Sequence, residues 1–328
     1  MNKLAGSCCL VTGGAGFVGS TIVDQLLIAG VSEVRVIDNF VRGNMNNLAW
    51  AVDHGAVKVI EGDVRDNSLV ERTAAGVDYI FHQAALRITR CAEAPREAIE
   101  VIVDGTLNVL EAATKYHVKK VVAASSASVY GDPSYLPVDE AHPFNNRTMY
   151  GAGKIANEQM LRAYHTTSGL NYNAFRYFNV YGPRMDMVGV YTEVMIRWLN
   201  AIEANEPPII IGEGHNTSDF VYVGDVARVN LLAAESDVTD EVFNVGTGVQ
   251  TSLNELAALI LKLTGSLVRP EHKAGRSVGH AQRRQAATEK AEKLLGFKAQ
   301  VPLEQGLREL IRWRQEAKAT PAVAVEAR

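Results

Sequence analysis

The sequence predicts an α/β protein built on a doubly wound parallel sheet, with a smaller second domain. Short β-branched runs alternate with stretches of helical apolar spacing through the first 178 residues. A glycine-rich turn follows the first run directly, and the 47% of apolar residues supply a sizeable core. Because parallel strands are joined by crossover helices, this alternation indicates a parallel sheet covered on both faces.

Six strands are predicted in this first part. They span residues 8–12, 33–37, 57–61, 79–83, 121–125 and 174–178. Between the fourth and fifth strands, residues 95–117 carry apolar side chains on one helical stripe, which predicts a helix. We therefore assign residues 1–178 to the first domain.

The pattern loosens after Asn179, where a loop contains Gly182 and Pro183. Further helices are predicted at 191–203, 253–264 and 303–317, and further strands at 208–212, 220–223 and 242–244. We expect residues 219–247 to return to the main sheet or its edge. Residues 179–218 and 248–318 are expected to form a sequence-discontinuous α/β substrate domain, and residues 319–328 a frayed tail.

Composition excludes several classes of protein. The 33 Lys and Arg against 37 Asp and Glu give a net charge of −4, and the one dense basic stretch contains Glu289 and Glu292, which disfavours nucleic-acid binding. Three cysteines predict no disulfide framework, as in a reducing cytoplasm. No apolar run approaches the roughly 18 residues that span a bilayer, and the chain reaches Gly13 too soon for a signal peptide. We expect a cytoplasmic protein without a membrane partner.

The turn at residues 12–19 has the spacing of a dinucleotide-binding loop. Gly13 permits a tight turn, Gly16 allows a pyrophosphate to approach the backbone, and Gly19 lets the next helix pack closely on the strand. A phosphate bound there lies at a helix amino terminus, where free N–H groups favour an anion. A purely structural turn is the alternative, but the strand, turn and helix context favours a Rossmann-like site.

Two acidic residues extend this site. Asp38 ends the second strand nineteen residues after Gly19, where a carboxylate can hold the two ribose hydroxyls. Such a carboxylate repels a 2′-phosphate, which predicts NAD over NADP, although Arg35 and Arg42 nearby weaken the preference. Asp63 follows the third strand and is predicted to accept from the adenine amino group; a solvated turn aspartate is the alternative.

A tyrosine and a lysine four residues apart predict a catalytic base. Tyr150 and Lys154 share a helix face, and a neighbouring cation lowers the pKa of a phenol, so that it can take a hydroxyl proton. Tyr116 and Lys120 have the same spacing but precede the fifth strand. Ligands of open α/β sheets bind beyond the carboxyl ends of the strands, so we interpret the earlier pair as structural.

Serine hydroxyls at the carboxyl end of the fifth strand support the later pair. Segment 125–131 reads SSASVYG, and its hydroxyls can bond the substrate oxygen that Tyr150 deprotonates. Serines at a strand end are often only turn formers. Together with the glycine turn and the Tyr150 and Lys154 pair, however, they favour a catalytic role.

These motifs resemble those of the extended short-chain dehydrogenase/reductases, and within them the nucleotide-sugar epimerase/dehydratase group. The matching segments span nearly the whole chain: 12–19 (TGGAGFVG), 38–39, 62–64, 81–85 (FHQAA), 104–113, 125–131, 150–154 (YGAGK), 176–184 (RYFNVYGPR), 219–227 and 243–248. The resemblance implies bound NAD, no metal, and a nucleoside diphosphate sugar in a cleft between the domains. It also implies a homodimer formed through two helices per subunit, here 95–117 and 150–167.

The resemblance further implies roles for individual residues. Ser126, Tyr150 and Lys154 are the implied catalytic residues. The predicted NAD contacts are Gly13, Gly16, Phe17, Val18, Gly19, Asp38, Asn39, Asp63, Val64, Gln83, Ala84, Ala85, Arg87, Tyr150, Lys154 and Tyr177. The predicted substrate contacts are Arg87, Ser128, Asn179, Arg276 and Arg284. His82 is expected to pack beneath the cofactor without ionising, and a turn-capping role is the alternative for Asn179.

The implied reaction is that of an NAD-dependent nucleotide-sugar 4-epimerase, and the same resemblance implies UDP-sugars as its substrates. It oxidises the sugar's C4 hydroxyl to a ketone and re-reduces it on the other face, with Tyr150 taking the proton and Lys154 bonding the nicotinamide ribose. Nucleotide-sugar decarboxylases and dehydratases, which share the first oxidation, are the alternative among enzymes. A non-catalytic NAD-sensing protein is the alternative outside enzymes.

Departures from the group's motifs bear on the substrate and the reaction. The 4,6-dehydratases have an Asp-Glu pair where this chain has Ala127 and Ser128, which argues against dehydration. Ser218 replaces an arginine that often binds the diphosphate, which leaves Arg276, Arg283 or Arg284 to hold it. Arg284 falls about where the group has a residue lining the sugar pocket, so a carboxylated sugar stays open.

Overall fold

In the computed structural model, which describes residues 3–187, 193–275 and 283–319, the strands form one large sheet and three two-stranded pairs. The strands are β1 (Cys8–Thr12), β2 (Glu33–Asp38), β3 (Val57–Glu61), β4 (Tyr79–His82), β5 (Lys120–Ser126), β6 (Tyr172–Tyr177), β7 (Asn179–Tyr181), β8 (Ile209–Ile211), β9 (Thr217–Ser218), β10 (Phe220–Tyr222), β11 (Glu241–Val245), β12 (Thr251–Ser252) and β13 (Glu271–Lys273).

Helices cover both faces of the large sheet and build the second half of the molecule. They are α1 (Phe17–Ile28), α2 (Ala49–His54), α3 (Asn67–Ala74), α4 (Ile88–Glu93), α5 (Pro95–Ile99), α6 (Gly105–Lys115), α7 (Met149–Ser168), α8 (Val194–Glu203), α9 (Val223–Glu235), α10 (Leu253–Thr264), α11 (Glu289–Leu295) and α12 (Leu303–Ala319). The predicted helix 95–117 is continuous from α5 to α6 through a π-helical turn, Glu100–Asp104. The predicted helix 191–203 is observed as α8, and residues 191–192 lie outside the described residues.

The large sheet has seven parallel strands in the order β3-β2-β1-β4-β5-β6-β11, which is the predicted doubly wound topology. The order reverses between β1 and β4, and a crevice forms at such a switch point, outside the carboxyl ends of the strands. One apolar cluster on each face buries the sheet, because nearly every side chain of the central strands is apolar. The glycine turn after β1 and the serines after β5 therefore open into the same crevice.

The predicted strand 220–223 does not join the large sheet. Phe220–Tyr222 pairs instead with Asn179–Tyr181, a segment predicted as loop. The chain enters α9 at Val223, and α9 packs on α1. The strand is therefore only three residues long and too short to extend to the large sheet. The later strand, Glu241–Val245, does extend the sheet by pairing with β6.

A third apolar cluster organises the second half of the molecule. Helices α8, α10 and α12 contribute Trp198, Leu256 and Leu307, which pack around Tyr181 and Phe220. Of the predicted tail, Ala319 is the last residue of α12, and 320–328 lie outside the described residues. Within the described ranges, no helix combines the length and apolar character needed to cross a bilayer.

Candidate active site

A cleft of about 830 Å³ opens between the carboxyl ends of the large sheet and the third apolar cluster. Its wall includes all three predicted catalytic residues and all sixteen predicted NAD contacts. Four of the five predicted substrate residues also line it, whereas Arg276 lies outside the described residues. The structure thus gathers nearly the whole predicted site in one place.

The glycine turn has the backbone geometry that a pyrophosphate site requires. Gly13 has a φ of 68°, and a Cβ there would lie 2.8 Å from the Ala84 nitrogen. A Cβ on Gly19 would collide with the Gly13 carbonyl oxygen, so only glycine lets α1 approach this closely. Gly16 caps α1 in an extended conformation, and the helix amino terminus points its free N–H groups at the cleft. The turn therefore fits a dinucleotide.

Asp38 is fixed at the adenosine end of the cleft. Its carboxylate is 7% exposed and accepts the N–H groups of Ala15 and Phe40, both at 2.9 Å. Burial raises the pKa of Asp38, and these donors oppose the rise. Arg35 bonds Glu33 and the backbone carbonyls behind the sheet, so it does not offer its charge to a 2′-phosphate at this site.

Asp63 is held beside Asp38 in an ionised form. It accepts from Asn39 Nδ2 at 2.9 Å and from the Arg65 side chain, and these bonds lower the pKa of Asp63 to about 2. The carboxylate is partly committed to these neighbours, yet it lines the cleft and keeps further acceptor capacity.

The three predicted catalytic residues come together where β5 ends and α7 begins. Ser126 Oγ accepts the N–H of Ser128 at 3.1 Å, and the Ser126 hydroxyl is close enough to the Tyr150 phenol to act against the rise in its pKa. Lys154 Nζ lies 5.8 Å from the Tyr150 ring centroid and donates to the Ala124 carbonyl at 2.7 Å. Thr148 caps α7 by accepting from the Gly151 N–H, which fixes where Tyr150 leaves the helix.

The expected lowering of the Tyr150 pKa by Lys154 is wrong for the chain alone. Burial raises the pKa of Tyr150 to about 12, opposed by the Ser126 hydrogen bond and the charge of Arg42. Burial also lowers the pKa of Lys154 to about 8, so its own charge is disfavoured. Sequence spacing shows which groups meet, but it does not show how thoroughly the fold removes water from them.

The earlier pair, Tyr116 and Lys120, lies at the opposite end of β5, as predicted. Lys120 Nζ donates to the carbonyls of Ala233, Ser236 and Val238 at 2.7–2.9 Å. It thereby satisfies carbonyls at the end of α9 and in the segment that follows. This pair does not line the cleft, and its role is structural.

The predicted sugar-binding residues present unused polar atoms. Ser128 Oγ and Asn179 Oδ1 are buried and have no hydrogen-bond partner among the described residues. Both residues line the cleft. Buried polar atoms are nearly always bonded, so these two atoms mark where a polar ligand completes the site.

The predicted arginines take different places. Arg87 is ion-paired with Asp186 at 2.9 Å, and Arg42 approaches the same carboxylate at 3.9 Å. Arg284 donates its backbone N–H to the Thr217 carbonyl at 3.1 Å, which places it beside Ser218. Within the described ranges no carboxylate lies within ion-pair distance of Arg284, and burial lowers its pKa.

His82 is buried beneath the glycine turn and is uncharged, as predicted. Burial lowers the pKa of His82 to about 3. Its ring nitrogens lie within hydrogen-bond distance of Thr12 Oγ1 and Thr106 Oγ1. Among the described residues, no group of three or more His, Cys, Asp or Glu is arranged to bind a metal.

Several cleft residues were not predicted from the sequence. They include Asp186, Arg197, Trp198 and Trp313. Arg42, which also lines the cleft, was considered only for its charge near Asp38. Trp198 and Trp313 lie on amphipathic helices whose apolar spacing was recognised, but that spacing does not tell core from cleft. Asp186 follows a short loop and carries no local signal.

The comparisons with known proteins decide the family. The model of the NAD dependent epimerase/dehydratase family matches residues 9–246. The chain belongs to this family. A UDP-glucose 4-epimerase of Mycolicibacterium smegmatis is 36% identical over 301 residues, covering 91% of this chain and 95% of that relative.

Solved structures of epimerase/dehydratase family members agree with this assignment. A UDP-N-acetylglucosamine 4-epimerase of Methanobrevibacter ruminantium, in complex with UDP-N-acetylmuramic acid, superposes with a TM-score of 0.91 at 33% identity. A UDP-glucose 4-epimerase of Thermotoga maritima, with UDP-glucose, superposes with a TM-score of 0.89 at 33% identity. Each covers 95% of this chain and 99% of its own. The predicted family, fold, NAD cofactor and nucleotide-sugar epimerase class are confirmed.

Proposed function

We propose that the protein is a UDP-sugar 4-epimerase whose reaction takes place at Ser126 and Tyr150. One observation carries the proposal. Ser126 and Tyr150, with Lys154 one turn further along α7, line a cleft that also holds the unpartnered oxygens of Ser128 and Asn179. The group that can move a proton therefore faces the groups that can hold a sugar.

The residues act as follows. In the chain alone Tyr150 is protonated, but the positive charge of a bound nicotinamide ring would favour the phenolate. As the phenolate, Tyr150 takes the proton of the C4 hydroxyl while the Ser126 hydroxyl bonds the same oxygen. Bound NAD supplies the oxidation of C4 and its later reduction on the opposite face of the sugar. Lys154 uses one N–H on Ala124, and we assign its remaining donors to the nicotinamide ribose. Tyr150 then returns the proton to the C4 oxygen, which gives the epimer.

The sugar and diphosphate are assigned to opposite parts of the cleft. Ser128 and Asn179 bond sugar hydroxyls with the oxygens that lack protein partners. Arg284, beside Ser218, supplies the guanidinium that the family often has at position 218, and Arg87 lines the same cleft. Arg276 lies outside the described residues and stays a candidate by its position in the sequence. No described carboxylate lies within ion-pair distance of Arg284, and a guanidinium with free donors fits an anionic diphosphate.

The same turn disfavours dehydration. A 4,6-dehydratase must remove a C5 proton and protonate the departing C6 hydroxyl. Ala127 is 3% exposed and cannot exchange a proton, and the Ser128 hydroxyl is not an acid at neutral pH. Epimerisation needs only the single base that is present.

The proposed reaction is tested with a panel of UDP-, GDP-, CDP- and dTDP-sugars, with products followed by NMR. We expect a C4 epimer at equilibrium from a UDP-sugar, with no loss of water or carbon dioxide. A 6-deoxy-4-keto product or a pentose product would refute the epimerase. Titration of the cofactor-free protein should show tighter binding of NAD than of NADP, and the reverse order would overturn the role of Asp38.

We further propose a cytoplasmic homodimer formed by helices 95–117 and 150–167. Ile99 and Leu107 on the first of these helices, and Met149 directly before the second, are apolar yet 37%, 36% and 38% exposed. Their burial against a second copy would remove apolar surface from water. Light scattering should give a dimer for the parent and a monomer for Leu107→Glu; a parent monomer would refute this.

Domain roles follow from the same assignment. We propose that residues 1–178, with 219–247, bind NAD, and that 179–218 and 248–318 bind the nucleotide sugar. The pairing of β11 with β6 and the packing of α9 on α1 support the return of 219–247 to the first domain.

A further inference from the structure

A buried histidine that the proposed reaction does not use lies between the cofactor loop and the catalytic helix. His82 is 2% exposed. Its Nδ1 lies 2.7 Å from Thr12 Oγ1, and its Nε2 lies 2.9 Å from Thr106 Oγ1. Both ring nitrogens are therefore engaged.

The Thr106 hydroxyl fixes the direction of these bonds. It has one proton, which it donates to the Ile102 carbonyl at 2.6 Å. Thr106 Oγ1 must then accept from His82, so the ring proton is on Nε2 and Nδ1 accepts from the Thr12 hydroxyl. Thr12 Oγ1 in turn accepts the Ala84 N–H at 3.4 Å. The result is a chain of hydrogen bonds in one direction.

The hydrogen-bond chain connects two parts of the proposed active site. Ala84 and Gly13, which follows Thr12, both line the cofactor side of the cleft. Ile102 belongs to the π-helical turn, and a Cβ on Gly153 would lie 2.9 Å from Ile102 Cγ2. Gly153 stands between Tyr150 and Lys154 on α7. The last acceptor of the hydrogen-bond chain is therefore the carbonyl of Ile102, the residue on which α7 packs.

We propose that His82, as the neutral Nε2–H tautomer, is a positioning residue that joins the cofactor loop to the helix carrying Tyr150 and Lys154. Only the turnover measurement below rests on the proposed epimerase activity. The ring tautomer and the affinity for NAD are measured without any sugar.

A pair of threonine variants on α6 tests this chain of hydrogen bonds. Thr106→Val keeps the shape of the side chain and removes the hydroxyl that accepts from His82. Thr114→Val, two turns later, is the matched control, because Thr114 Oγ1 is buried and has no hydrogen-bond partner among the described residues. We expect Thr106→Val to weaken NAD binding and to lower turnover about tenfold each, the scale of a lost buried hydrogen bond. Thr114→Val should change both less than about twofold.

Variants of His82 itself provide a rescue. His82→Gln keeps one donor and one acceptor and should retain most of the NAD affinity, whereas His82→Leu should lose it as Thr106→Val does. Nitrogen-15 NMR of the parent should show an Nε2–H ring that does not titrate between about pH 5 and 8, the range of an ordinary histidine. This measurement decides the tautomer even if a variant fails to fold.

An Nδ1–H ring, a ring that titrates in that range, or equal NAD affinities for the two threonine variants would overturn the proposal. If the NAD affinities follow the expected pattern but no sugar turns over, the epimerase assignment fails and the role of His82 stands.

Discussion

The two tyrosine–lysine pairs at opposite ends of β5 have the same spacing, and burial lowers both lysine pKa values to about 8. They differ in what the ammonium group contacts. Lys120 donates to three backbone carbonyls, whereas the hydrogen bond that the structure shows for Lys154 Nζ is to Ala124 alone. A buried lysine whose donors are all used is a support, and one with donors left toward a cleft can bind a ligand. Neither spacing nor pKa makes this distinction.

The tyrosines provide the strongest test of this comparison. Tyr150→Phe removes the proposed base and should lower turnover by at least about a hundredfold, whereas Tyr116→Phe should leave it nearly unchanged. Initial rates on an accepted sugar, with circular dichroism to check folding, measure both. Equal losses of turnover in the two folded variants would contradict the proposed difference between the two pairs.

The lysines should separate activity from stability. Lys154→Met should lower turnover about tenfold or more, because a charged donor near the reacting group is lost. Lys120→Met leaves three carbonyls without their donor and should lower the free energy of unfolding by about 2 kcal/mol, with turnover of the folded protein little changed. Urea unfolding and kinetics on the same preparations check this. A loss of turnover in Lys120→Met at full stability would contradict it.

Ser126 provides a further test of the difference between the two tyrosine–lysine pairs, because serines lie only at the Tyr150 end of β5. Ser126→Ala removes the hydroxyl that lies next to the Tyr150 phenol and that we propose bonds the substrate oxygen, and it should reduce turnover about tenfold, with little change in NAD affinity. The nearby Ser125→Ala is not a neutral control, because Ser125 Oγ donates to buried Glu158 at 2.5 Å. Steady-state kinetics and NAD titration provide the two readings. Unchanged turnover would remove Ser126 from the catalytic group.

The smallest expected effect is in the pH dependence of stability. The folded pKa of Lys154, about 8, lies below the ordinary lysine value near 10.4, so between them the unfolded chain binds more protons. The contribution of Lys154 to stability therefore rises with pH through this window and is constant below it. In cofactor-free protein, any stability advantage of Lys154→Met over the parent should shrink by about 2 kcal/mol between pH 7 and 10. An advantage that grows with pH would show that Lys154 keeps its charge.

Local patterns were enough to predict most of the sheet and that Ser126, Tyr150 and Lys154, the proposed catalytic residues, line one cleft. Tyr150, Lys154 and Ser126 lie next to strand ends and helix starts, where a few neighbouring residues define position. The pKa of Tyr150 was predicted in the wrong direction because burial depends on packing by distant segments. Strand 220–222 was placed wrongly because three residues carry no information about their partner, and Asp186 was missed because its contact with Arg87 spans the cleft.

The order of strands along the chain has a consequence for synthesis on the ribosome. The strand at one edge of the sheet, β11, pairs with β6 but is synthesised roughly sixty residues later. At typical rates of about 5–20 residues per second, β6 waits several seconds for its neighbour. During that time it presents unpaired N–H and C=O groups to other nascent chains. We therefore expect ribosome-bound chains that contain β6 but end before residue 241 to aggregate more readily, and to depend more on chaperones, than chains that contain both strands.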